Sequence, residues 1–188
     1  MTTAHHSGDP TRPESSHRLF FALWPDDSMQ SALAAATRTA VAACNGTPIP
    51  PRNFHFTLAF LGNVPTSRAV DLNNAAQRAA LPGPIAITLD QINYWRRSEI
   101  LCATSTNPPA SAATLAASLK QALVEAGFTP DLEKEFRPHI TLARKARTRI
   151  PKTPMSPLIC SFSNFVLVAS QLSPQGSAYT IISRYPHP

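Results

Sequence analysis

An α+β fold built on antiparallel sheets is what this sequence predicts, and three observations carry that expectation. Strand-like and helix-like segments interleave along the chain. Several strand candidates are joined by short polar turns. No glycine-rich phosphate loop of the Walker type marks a parallel nucleotide-binding sheet. With 188 residues, 43% of them hydrophobic, the chain can bury one sizeable core.

Residues 1–17 are polar, rich in Ser, Thr and Pro and without periodicity, which predicts a disordered tail in which His5, His6 and His17 are solvated. Residues 18–188 then form a single domain. RLFFALWP from Arg18 reads as a short buried strand ended by Pro25. The Ala-rich DDSMQSALAAATRTAVAAC carries Leu33 and Val41 on one face, and Asp26 to Ser28 supply side chains that cap a helix start. A turn-rich NGTPIPPRN leads to FHFTLAFLG, whose aromatic and β-branched content predicts a strand ending at Gly62. A second helix is expected over TSRAVDLNNAAQRAA, stopping at Leu81–Pro82–Gly83. IAITLDQINYW and EILCATS read as two strands with a tight turn at Arg96 to Ser98. SAATLAASLKQALVEAG has helical spacing, with Gly127 placed to cap its end. PHITLAR, FSNFVLVASQ and AYTIISRY complete the strand candidates, the last two joined by LSPQGS as a hairpin.

The formal net charge is +6, which points to an anionic partner and says nothing about fold. Cys44, Cys102 and Cys160 are odd in number and lack zinc-type spacing, so they read as reduced, buried thiols. No apolar run is long enough to span a bilayer, and the first residues lack the apolar stretch of a secretory signal. The expected address is the cytoplasm.

One short pattern occurs twice, as His55-Phe56-Thr57-Leu58-Ala59 and as His139-Ile140-Thr141-Leu142-Ala143. Side chains alternate along a strand, so His and Thr two positions apart share a face while the intervening apolar residues point into a core. A single His-x-Thr is more often a core or edge feature, but two copies with the same flanks weigh against that reading. If the two strands adjoin or are related by a pseudo-twofold, both pairs line one cleft. Two histidines can also ligate zinc; the neighbouring segments offer no convincing third ligand, so neither a metal nor a cofactor is expected.

These motifs, with RLFFALWPDD, FHFTLAFLGNV, FRPHITLARK and SQLSPQGSAYTIISRYP in that order, resemble the 2H phosphoesterases. The resemblance spans roughly Arg18 to Pro186 and is greatest to the branch of bacterial RNA 2′,3′-cyclic phosphodiesterases, or 2′-5′ RNA ligase-like proteins. It implies a bilobal fold, two antiparallel-sheet lobes with helices outside and a cleft between them. It also implies a metal-independent hydrolase of RNA processing that opens terminal 2′,3′-cyclic phosphates to 2′-phosphomonoesters. RNA ends or nucleotides bearing that group are the partners, and the protein is expected to act as a monomer.

Two imidazoles flanking one phosphate suit this chemistry, since one can deprotonate water while the other protonates the departing ribose oxygen. By resemblance, His55 is the donor and His139 the acceptor; the residues themselves do not rank them. Thr57 and Thr141 can hold the non-bridging oxygens, and Arg144 can stabilise charge growing in the transition state. Arg144 raises a geometric problem. Five residues after His139 it falls on the opposite face of a regular strand, so the strand must end or bulge near Ala143. Its counterpart in the first copy is Phe60, which fits two histidines with different tasks. Arg137, Lys145, Arg147, Arg149 and Lys152 crowd the same region and read either as a solvated basic face or as a track for RNA phosphates. Phe54, Tyr94, Trp95 and Phe136 read as core, with base stacking as the alternative. Action on 2′-5′-linked oligonucleotides and non-catalytic binding of RNA ends are the competing functions. Intact His and Thr in both copies argue against the second.

Overall fold

The computed structural model describes residues 15–79, 83–131, 136–173 and 176–186. Its first strand, β1 (Ser16–Leu23), starts two residues before Arg18, because Ser16 and His17 pair with Pro65 and Val64. Ser16 and His17 of the predicted tail therefore belong to a sheet, and its residues 1–14 lie outside the described residues. Pro25 separates β1 from α1 (Asp27–Ala43), which opens as expected: the Asp26 carboxylate accepts from the Met29 N–H and the Ser28 hydroxyl at 2.8 and 2.7 Å. A two-residue strand, β2 (Thr47–Pro48), and a 3₁₀ turn at Pro51–Asn53 occupy the turn-rich stretch.

The next strand, β3 (Phe56–Pro65), runs past its predicted end at Gly62. Gly62 has φ +69°, and Leu61 is passed over in the pairing with β1, so the glycine serves an irregularity inside the strand rather than a terminus. The second predicted helix is a 3₁₀ turn over Thr66–Arg68 continuing into α2 (Ala69–Arg78); its predicted stop at Leu81–Pro82 lies outside the described residues. Next come β4 (Ile85–Trp95), β5 (Ile100–Thr104) and α3 (Ala110–Glu125). Gly127, at φ +76°, ends α3 by sending its N–H to Val124 O while Phe128 N–H reaches Leu123 O.

β6 (His139–Arg144), β7 (Thr153–Phe162), β8 (Asn164–Ser173) and β9 (Gly176–Pro186) complete the chain. β7 was not legible in TPMSPLICSF, because Pro154 and Pro157 argue against a strand. It is tolerated as an edge strand, which needs hydrogen bonds on one side only. The β8–β9 ladder extends to Ser173 and Gly176, in keeping with the hairpin expected at LSPQGS.

Two antiparallel sheets result, of order β3-β1-β8-β9 and β2-β6-β5-β4-β7. They share one core. Phe21 and Phe56 of the first sheet pack in the same cluster as Ile87, Leu101 and Ile140 of the second, and the Phe56 and Phe162 rings meet edge-on at 5.8 Å. α3 touches both β3 and β4 and buries Leu115, Leu119 and Leu123, so this helix ties the sheets together. β1 alternates cleanly: Leu19, Phe21 and Leu23 enter the shared core, while Phe20 and Ala22 join a separate cluster with Val166 and Val168 on the other face. That second face carries one half of the candidate site.

Candidate active site

The two histidines come from different sheets and are held in the same way. His55 immediately precedes β3, and His139 opens β6. Each Nδ1 lies 2.7 Å from the carbonyl oxygen two residues earlier, Asn53 for His55 and Arg137 for His139. A carbonyl only accepts, so both Nδ1 atoms carry hydrogen and each Nε2 remains as the titrating position. Exposure follows the same order in both copies: His partly buried, apolar residue buried, Thr partly buried, Leu and Ala buried, sixth residue exposed.

That order breaks the strict alternation of a strand, and the registers show why. Phe21 pairs with Ala59 and Ala22 with Thr57, which leaves Leu58 as an extra residue in β3. Leu101 pairs with Ala143 and Cys102 with Thr141, leaving Leu142 extra in β6. Each copy bulges at its leucine, and a bulge reverses the parity of everything after it. Arg144 thereby returns to the face of His139 and Thr141, and Phe60 to that of Thr57. The bulge demanded by the sequence is present one residue before Ala143. Arg144 lies close enough for its charge to depress both His55 and His139.

The surroundings of the histidines differ. Trp24 stacks on His55 with ring centroids 5.3 Å apart and planes within 5°; Phe20 and Tyr179 close two other sides at 4.9 and 5.4 Å. Burial among these rings pushes His55 down to about 4. The Asn53 carbonyl opposes that shift, and the charges of Arg144 and His139 add to it. Asn53 also donates from its amide nitrogen to Ser177 O at 3.0 Å, which fixes the start of β9, and so Tyr179, beside the imidazole. His139 meets Trp95 at 4.5 Å; burial, then the Arg144 charge, lowers its proton affinity against the Arg137 carbonyl.

A cavity of about 630 Å³ is walled by Thr57 and Phe60 of β3, by Trp95, Phe136, Arg137 and His139, and by Lys120 and Asp131. Thr57 of one copy and His139 of the other thus face one space. His55, Thr141 and Arg144 are not among its walls. Thr141 shares the strand face of His139, while His55 and Arg144 are linked to that histidine by electrostatic coupling. Of the aromatic candidates, Phe54 is core, Tyr94 packs on the core and donates to Ala146 O, and Trp95 and Phe136 line the cavity. Phe20, Trp24, Asn53, Lys120, Asp131 and Tyr179 escaped the sequence reading, since nothing in their spacing links residues so far apart. Among the described residues no group of three or more His, Cys, Asp or Glu could hold a metal ion. The three cysteines are buried and unpaired.

Two antiparallel sheets, each presenting one histidine–threonine pair, form the arrangement of the two-histidine phosphoesterases. The chain belongs to the 2'-5' RNA ligase superfamily, whose family model matches residues 25–160 and so includes both motifs. It is 32% identical over 178 residues to the RNA 2',3'-cyclic phosphodiesterase of Thermus thermophilus, covering 89% of each chain. To the protein of the same name in Escherichia coli it is 30% identical over 169 residues, 89% of this chain and 95% of that one. The crystal structure of E. coli LigT complexed with 3'-AMP superposes with a TM-score of 0.81 at 27% identity, covering 92% of this chain and 98% of that one. TT0787 of T. thermophilus gives 0.73 at 30% identity, over 90% and 97%.

Proposed function

We propose that this chain hydrolyses the terminal 2′,3′-cyclic phosphate of RNA to a 2′-phosphomonoester, without a metal, as a monomeric cytoplasmic enzyme. The observation that carries the reading is the duplicated construction of the site: two histidines with Nδ1 tied back and Nε2 left for substrate, each followed by a threonine and a bulge. The curated relatives bear the name of this activity, and one solved relative binds 3'-AMP.

In the reaction His139 Nε2 takes a proton from water as its oxygen attacks phosphorus. The bond to the ribose 3′ oxygen breaks, and His55 Nε2 delivers a proton to that oxygen. Thr57 and Thr141 donate to the non-bridging oxygens, and Arg144 meets the growing negative charge. Burial keeps His55 neutral in the free protein, so to act as donor it gains its proton as substrate binds. A substrate phosphate beside it favours the charged imidazole, and a proton held weakly by its surroundings is given up readily. Metal chemistry is disfavoured by the donor set, since a guanidinium stands where it repels a second cation.

The purified protein should convert an oligoribonucleotide ending in a 2′,3′-cyclic phosphate to a monophosphate in excess EDTA and without nucleoside triphosphate. A phosphatase specific for 3′-phosphates should leave that product intact. Loss of turnover in EDTA with recovery on adding zinc would refute the two-histidine mechanism; phosphate release would reverse the leaving group. Turnover confined to 2′-5′-linked oligonucleotides would change the substrate.

A further inference from the structure

Two basic loops leave directly from residues of the site and are clamped together. The first is the turn after β4, where Arg96 and Arg97 follow Trp95, the residue packed on His139. The second begins after Arg144 with Lys145, Ala146 and Arg147. Ala146 N–H donates to Glu99 O at 2.9 Å and Tyr94 Oη donates to Ala146 O at 3.1 Å, joining the second loop to the first. On its other side, the N–H groups of Arg147 and Thr148 both reach Cys44 O, at 3.1 and 3.0 Å. Glu99 and Lys145 hold φ values of +50° and +51°, so both loops turn sharply where they meet.

Arg96, Arg97, Lys145 and Arg147 are all exposed, and none has an acidic partner among the described residues. Glu99, also exposed, is the one acidic residue on the two loops. Four cations stand on this braced backbone against the single carboxylate of Glu99, an excess of positive charge that favours an anionic partner. Their position relative to the histidines suggests what offsets it. A cyclic phosphate is the last of a series of anions in an RNA strand, and the phosphates before it must leave the cleft along some surface.

We infer that the turn at Arg96–Arg97 and the loop at Lys145–Arg147 form a phosphate-binding ridge for the RNA strand preceding the terminal nucleotide. This makes oligonucleotides, rather than mononucleotides, the favoured substrates. The inference rests on the phosphodiesterase reading and adds a second region of contact to it. The ridge holds backbone phosphates by charge, so it is indifferent to base sequence and sensitive to salt.

The test compares the wild type with a triple variant, Arg96→Ala, Arg97→Ala and Arg147→Ala, on two substrates. Lys145 is left unchanged because its left-handed backbone makes substitution ambiguous. One substrate is adenosine 2′,3′-cyclic phosphate; the other is an oligoadenylate ending in the same group. The wild type should prefer the oligomer, and the preference should fall as salt is raised. The variant should lose about tenfold or more in kcat/KM on the oligomer, through KM, and stay within roughly twofold on the mononucleotide. Equal losses on both substrates, or none on either, would overturn the ridge. If the wild type turns over neither substrate, the phosphodiesterase reading fails by itself. The ridge is then read from fluorescence anisotropy of a labelled oligoribonucleotide: weaker binding by the variant supports it, and equal binding refutes it.

Discussion

At the scale of single residues, the two imidazoles are alike in what holds one of their nitrogens. A ring whose Nδ1 hydrogen is fixed on a carbonyl at 2.7 Å has one remaining site for the proton, aimed by the backbone rather than by a side chain. The rings differ in setting, with His55 inside three aromatic side chains and His139 against one. Donor and acceptor roles are separable by the leaving group, because an activated nitrophenolate departs without protonation whereas a ribose alkoxide does not. His55→Ala should therefore be severely impaired on a cyclic phosphate and far less so on a nitrophenyl phosphodiester. His139→Ala should fall by about 10²–10⁴-fold on both. The opposite rescue pattern would exchange the roles. Arg144→Lys should retain the fold and lose about tenfold or more in kcat, since lysine keeps the charge but not the planar fork that meets two oxygens at once. An unchanged rate would return Arg144 to the exposed basic surface.

At the scale of elements, the bulges at Leu58 and Leu142 decide the site. Without the second, a regular β6 would send Arg144 away from His139, a conflict visible in the sequence and resolved only by the observed register. β2 braces the same region: Thr47 and Pro48 pair with Arg144 and Ala143. Gly46, just before it, has no room for a side chain, because a Cβ there would come within 2.8 Å of Arg144 O and 2.9 Å of Ala146 Cα. Both are backbone atoms, so relief requires moving the segment that carries Arg144. Gly46→Ala should lower kcat/KM and destabilise the fold by about 1–3 kcal/mol, read as a lower urea midpoint with an unchanged m-value. Wild-type activity and midpoint would show that the loop is free to yield. β7 marks the limit of element prediction. Its prolines read as breakers until its place at a sheet edge is known, and edge position is a property of the sheet rather than of the segment.

At the scale of the molecule, two sheets with one core hold two partly buried imidazoles that resist protonation, and this links the site to stability. His55 is driven from its ordinary 6.5 to about 4, and His139 is lowered as well. The unfolded chain takes up these protons near pH 6.5 and the folded chain does not. The native state therefore loses stability as pH falls from about 6.5 towards 4, and regains none of it below that window. Asp26, lowered by its bond from the Met29 N–H, contributes stability present above 3.8 and lost below it, a separate and more acidic window. The prediction is a urea midpoint that declines between pH 6.5 and 4, with a shallower decline in His55→Gln. A variant with the same slope as wild type would mean that His55 protonates alike in both states.

Much of this protein was determined by local sequence. The order of the strands and helices other than β2 and β7, the Asp26 and Gly127 caps and the two His-x-Thr pairs all follow from backbone sterics and side-chain alternation, which act over a few residues. The pairing of distant segments followed from nothing local. Only tertiary structure set one histidine in each sheet, the leucine bulges that return Arg144 to the site, and the meeting of Phe20, Trp24 and Tyr179 around His55. It also set the clamping of the 96–97 turn onto the 145–147 loop. Each of these depends on register and on packing between sheets, where the free energy comes from surfaces far apart in the chain, and no short stretch of residues encodes it alone.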